Sequence, residues 1–131
     1  MTTTTTPMAG AELKVRLQGL GLPPTWFAER LGVTMRTVVR WFDGEDVSPV
    51  VADELEKLSD LAVDEMRKML DKVGWTDGDA DVTLVTYRTD KSVPASRGKA
   101  PKMPASWHRA LTFRVMEHLR AQGATVHIEY K

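Results

Sequence analysis

The sequence predicts an α+β protein: an N-terminal helix-turn-helix bundle, a long linking helix, and a small C-terminal β-α-β segment. Three observations carry that expectation. Apolar residues step by three and four through the first half of the chain, Gly32 interrupts the stepping between two short runs, and two β-branched, aromatic runs flank one more helical stretch near the end. The expected division is a disordered tail over residues 1–8, a helix-turn-helix domain with its long C-terminal helix over 9–73, and a β-α-β dimerisation segment over 74–131 that includes a mobile basic loop at 89–104.

Residues 1–7 read MTTTTTP, a polar run with nothing to bury. From Ala9, Leu13, Leu17 and Leu20 make one apolar helical face, with Lys14 and Arg16 off it; Gly19 and Gly21 weaken and end that helix. Pro23 and Pro24 open the next, since proline suits a first helical turn. Phe27, Ala28 and Leu31 then share one face, Gly32 breaks the helix, Val33 plugs the turn, and Val38, Trp41 and Phe42 resume the apolar face. Ala28 is small where a second helix must come close, Gly32 can take the positive φ of a sharp turn, and Thr34 stands where an N-cap belongs.

An acidic turn over Asp43–Val47 leads to Ser48 and Pro49, a cap and first-turn pair. Val51, Leu55, Leu58, Ala62, Met66, Met69 and Val73 then define a helix of about 25 residues, roughly 37 Å long, with a break near Ser59 and Asp60 as the alternative. The run Trp75–Asp81 is a turn, and Val82–Tyr87 has the composition of a strand. The loop that follows carries Lys91, Arg97, Lys99 and Lys102 among Pro, Ser and Gly, either as a solvated linker or as an arm on nucleic acid. A last helix over about Ala105–Gln122, led by Trp107, stops at Gly123, and TVHIEY closes the chain with Val126, Ile128 and Tyr130 on one face. A two-stranded sheet is marginal alone, so pairing across a dimer or cover from the long helix is expected.

Lys plus Arg and Asp plus Glu both number 18, so net charge gives no hint of nucleic acid. The distribution does. Arg30, Arg36 and Arg40 face only Glu29 between Pro24 and Phe42, whereas ten acids stand between Asp43 and Asp71. The absence of cysteine excludes disulfides, thiolate metal sites and a cysteine nucleophile. No apolar run approaches the roughly 20 residues of a membrane span, and the Thr-rich start is unlike a signal peptide, so a cytoplasmic protein is expected. His108, His118 and His127 form no metal-ligand spacing, and there is no Gly-rich phosphate loop or Gly-x-Ser-x-Gly. Neither an enzyme nor any metal or cofactor is expected.

The segment ERLGVTMRTVVRWFDGE resembles the helix-turn-helix of the phage-repressor family (XRE/Cro/cI-like, with the lambda-repressor-like fold): a small residue, LGV, a hydroxyl cap, then a short basic helix ending in tryptophan. Prolines at 23 and 24 depart from it, because the family has a hydroxyl cap and a glutamine there, and Trp26 stands where the family tends to be acidic. Packing is the plain role for Trp26, with contact to a sugar-phosphate backbone as the alternative. The order of elements after the motif, including VTLVTYRTD and the Trp107-led helix, is similar to the YdiL-like regulators, among them anti-CRISPR-associated autorepressors of phages. That resemblance implies a homodimer joined through its C-terminal part and repressing its own operon from an inverted repeat; some members also bind RNA.

Helical spacing turns Val38, Trp41 and Phe42 inward and leaves Thr34, Met35, Arg36, Val39 and Arg40 outward over the recognition helix, residues 34–42. Met35 and Val39 are poor choices for water but suit thymine methyl groups, and Arg40 can meet guanine O6 and N7. Thr34, Arg36, Lys14, Arg16 and Arg30 make up the expected phosphate-contacting set. The function expected is therefore a sequence-specific double-stranded DNA-binding transcriptional repressor of phage or prophage type. The alternatives are the antitoxin of a toxin pair and a protein-interaction module on the same scaffold.

Overall fold

The structure, a computed structural model, describes residues 8–74, 80–95 and 102–131. The described residues form a mixed fold of five α-helices and one two-stranded sheet: α1 (Gly10–Gly19), α2 (Pro24–Leu31), α3 (Met35–Phe42), α4 (Pro49–Val73), β1 (Asp81–Thr86), α5 (Ala105–Ala121) and β2 (Thr125–Tyr130), with a 3-10 turn at Asp90–Ser92. The α+β expectation agrees with this. The chain divides into two compact units, Met1–Asp60 and Leu61–Lys131, and the boundary falls inside α4. α4 runs without the break that Ser59 and Asp60 offered.

In the first unit, Leu13 and Leu17 of α1, Phe27 of α2, Val38 of α3, and Leu55 and Leu58 of α4 are buried, as their spacing requires. α2 opens with Pro24 at its first turn and ends at Gly32, whose φ of 72° lets the chain reverse. The N–H of Val33 reaches back to the Ala28 carbonyl at 3.0 Å, closing the turn. Thr34 caps α3: its hydroxyl oxygen accepts from the Thr37 N–H at 3.3 Å. Met8, expected at the end of the tail, instead forms an antiparallel bridge with Val47, whose N–H donates to the Met8 carbonyl at 3.0 Å. The rest of the expected tail, residues 1–7, lies outside the described residues.

In the second unit, β1 and β2 are parallel, with Val82 opposite Val126, Leu84 opposite Ile128 and Thr86 opposite Tyr130. β1 begins one residue earlier than its composition suggests and stops before Tyr87. Val82 and Leu84 pack with Val115 and Leu119 of α5 and with Ala124, and Met66, Met69, Leu70 and Val73 of α4 close over them. The sheet is thus covered on one face by two helices, the usual remedy for a sheet too small to stand alone. The α5 N-terminus follows Pro104, which offers no side-chain cap. Asp90 supplies the cap from a distance, accepting the Ala105 N–H at 2.8 Å on Oδ1. The Arg109 guanidinium donates to the carbonyls of Tyr87 and Arg88 at 2.8 and 3.0 Å, tying the strand exit to α5. The turn at 75–79 and the loop residues 96–101, including Arg97 and Lys99, lie outside the described residues. Among the described residues no helix is long and apolar enough to cross a membrane.

Candidate nucleic-acid interface

The site is built on α3. Thr34 and Gly32 fix where it starts, and Val38 and Trp41 fix which face is buried, so the opposite face is set by the helical period. That face carries Met35 and Val39, 37% and 45% exposed, with Arg36 and Arg40 exposed beside them. Neither arginine has an ion-pair or hydrogen-bond partner among the described residues. The exposed acids Asp43, Glu45 and Asp46 follow α3 directly. A polyanion is therefore repelled from the α3 C-terminus, where the helix dipole is also negative, and attracted to the arginines and the N-terminal turn. Phe42 is half-buried rather than fully inward, and Lys14 of α1 sits over its ring at 5.7 Å with its ammonium carrying no acidic partner among the described residues.

Arg16 and Arg30, expected among the phosphate contacts, each pair with carboxylates of the fold. The Arg16 guanidinium lies 2.8 Å from Glu56 and 3.3 Å from Glu12 and donates to the Ser59 hydroxyl at 2.9 Å. Burial works against its charge, but Glu56 and Glu12 together more than offset this and push its pKa above the usual value. Arg30 pairs with Glu54 at 2.6 Å and lies 5.8 Å from the ring of the half-buried Trp26. Glu54 and Glu56 of α4, with Glu12 of α1, set carboxylates against these two cations, so their charges are partly compensated within the fold. The remaining scaffold positions Phe27, Ala28, Val38 and Trp41 are buried, and Leu31 and Val33 are half-buried around the turn.

The second unit carries a polar cluster that no sequence motif announces. His108 of α5 sits beneath β1 with Nδ1 2.8 Å from the Thr86 hydroxyl and 3.3 Å from that of Thr112, and Tyr87 meets its ring edge-on at 4.8 Å between centroids. Burial pushes its pKa below the usual imidazole value, with Glu65 opposing. Thr86 and Thr112, both buried, have in His108 the partner that burial demands of them. The cluster is thus a satisfied core contact. His118 is exposed beside Gln122, and His127 is exposed 3.9 Å from Asp81. Among the described residues no three His, Asp or Glu side chains are placed to hold a metal ion. A cavity of about 620 Å³ beside α4 and the strand ends mixes Lys68, Lys72 and Lys131 with Glu65 and Glu129, so it offers an anion no uniform field. No family model and no curated protein matches the chain.

Proposed function

We propose that the chain is a sequence-specific double-stranded DNA-binding transcriptional repressor. α2, its glycine turn and α3 are read as a helix-turn-helix, and the protein acts as a homodimer joined through the second unit. The observation that carries this is the outer face of α3, where exposed Met35 and Val39 lie beside two arginines that have no partner among the described residues. Apolar side chains held at a surface beside free guanidinium groups are costly in water and well matched to a major groove, whose base edges offer both thymine methyls and guanine acceptors. Arg40 reads a guanine, Met35 and Val39 meet thymine methyls, and Thr34, Arg36 and Lys14 hold phosphates.

One recognition helix reads about one half-site, too little for selectivity, so two copies address an inverted repeat with centres about one helical turn, roughly 34 Å, apart. Selection of bound sequences from a random DNA pool tests the proposal. The expected outcome is a near-palindrome whose half-sites contain a guanine beside thymines. Recovery of no enriched sequence at low salt overturns it.

A further inference from the structure

Among the described residues β2 is hydrogen-bonded on one side only, being one of two strands. Its Thr125 N–H bonds to the Ala80 carbonyl and its Lys131 N–H to the Thr86 carbonyl, both at 2.9 Å. In a parallel ladder alternate residues face the neighbour, so Val126, Ile128 and Tyr130 turn their backbone groups to the open edge. An edge left in this state is a template for another strand. The side chains of the same three residues stand on the helix-covered face, opposite Val82, Leu84 and Thr86, yet Ile128 is 42% and Tyr130 63% exposed. Phe113 of α5, 57% exposed, and Met116 overhang them, and together they line an open cavity of about 380 Å³. Unbonded backbone below and uncovered apolar helix above describe a slot for one more strand.

We infer that the occupant is β2 of a second copy, antiparallel, with the two-fold axis passing at Ile128. This rests on the dimeric reading above and names its interface. Charge selects the register. Centring on Glu129 sets Glu129 against Glu129 of the second copy, a repulsive juxtaposition, and leaves each carboxylate without an opposing donor. Centring on His127 sets two histidines face to face and carries Tyr130 past the start of the opposing strand at Thr125. Centring on Ile128 places His127 opposite Glu129 and Thr125 opposite Lys131 on the polar face, and Val126 opposite Tyr130 on the apolar one. In this register Ile128 with Ile128, and Val126 with Tyr130, are the hydrogen-bonded pairs, which are the residues whose backbone groups are free. Phe113 of each copy then covers the strand of the other, and the two-stranded sheet becomes four-stranded.

Two measurements on the full-length chain, made without DNA, test this. The chain has no cysteine, so introduced thiols report alone. Paired non-hydrogen-bonded residues lie about 4.5 Å apart at Cα, within disulfide reach. A mixture of His127→Cys and Glu129→Cys variants is expected to form disulfide-linked dimers on mild oxidation, while either variant alone does not. In sedimentation equilibrium the unmodified protein is expected to be dimeric, and Ile128→Lys to raise the dimer dissociation constant at least about tenfold with its helical circular dichroism unchanged. A monomer at tens of micromolar, ready cross-linking of either cysteine variant by itself, or an unaltered dimer in Ile128→Lys overturns the interface. An enriched DNA sequence obtained with a monomeric protein leaves the DNA-binding reading standing while removing this one; a dimer with no DNA preference does the reverse.

Discussion

At the scale of single residues, Arg40 and His108 show how surroundings decide what a side chain can do. Arg40 has no partner among the described residues, so its guanidinium is available for a bidentate contact. Arg40→Ala is expected to weaken operator binding by roughly 1–3 kcal/mol and to relax preference at one base pair, read by repeating the selection with the variant. Unchanged preference would remove Arg40 from base reading. His108 is the opposite case, kept neutral by burial against Thr86 and Thr112. Its pKa is lower folded than unfolded, so the unfolded chain binds the proton more readily. The contribution of His108 is therefore fully present above the ordinary imidazole pKa of 6.5 and declines as pH falls below it. Urea unfolding at pH 7.5 and at pH 5 is expected to show a loss on acidification that His108→Gln reduces. The helical position of His108 is legible in the sequence, but its neutral state is not, because the hydroxyl it meets on Thr86 is 22 residues away.

At the scale of elements, two helix starts depend on distant partners. A Cβ added at Gly10, the first residue of α1, would overlap the Trp41 carbonyl oxygen at the end of α3. Alanine is the better helix former by about 1 kcal/mol, yet Gly10→Ala is expected to destabilise the protein by roughly 1–3 kcal/mol, because the close approach of two backbones outweighs propensity. A shift of the urea midpoint to lower concentration checks the sign. The α5 start has Pro104 at the cap position and takes its acceptor from Asp90 instead. Asp90→Ala is expected to cost about 1 kcal/mol, measured the same way, with Asp90→Asn close to neutral. Local signals serve where the partner is local. Gly32 and Thr34 act within one turn and are readable in order, whereas Gly10 and Asp90 carry no such mark because their partners arrive only on folding.

At the scale of the whole molecule, the compensation of Arg16 by Glu56 and Glu12, and of Arg30 by Glu54, limits the cations that the proposed DNA-binding face can offer. If, as proposed, Lys14 and Arg36 are the charged phosphate contacts of each copy, a dimer would neutralise about four phosphates. The logarithm of the operator affinity is then expected to fall against the logarithm of salt concentration with a slope of roughly −4, at about −0.9 per phosphate. A slope near −7 would mean that Arg16 and Arg30 leave their carboxylates on binding. Net charge, with its 18 cations and 18 anions, says nothing about this balance. By itself the sequence determined the helices, the glycine turn and its threonine cap, the inward and outward faces of α3, and the two β-prone runs, because period and turn chemistry act over a few residues. Tertiary structure decided which cations remain unpaired among the described residues, what caps α5, that Met8 bridges Val47, and how the parallel strands pair, with the β2 edge and one apolar patch left uncovered by any described residue. Those features are contacts between residues far apart in the chain, and a charge or an apolar face acquires its meaning only from what folding sets against it.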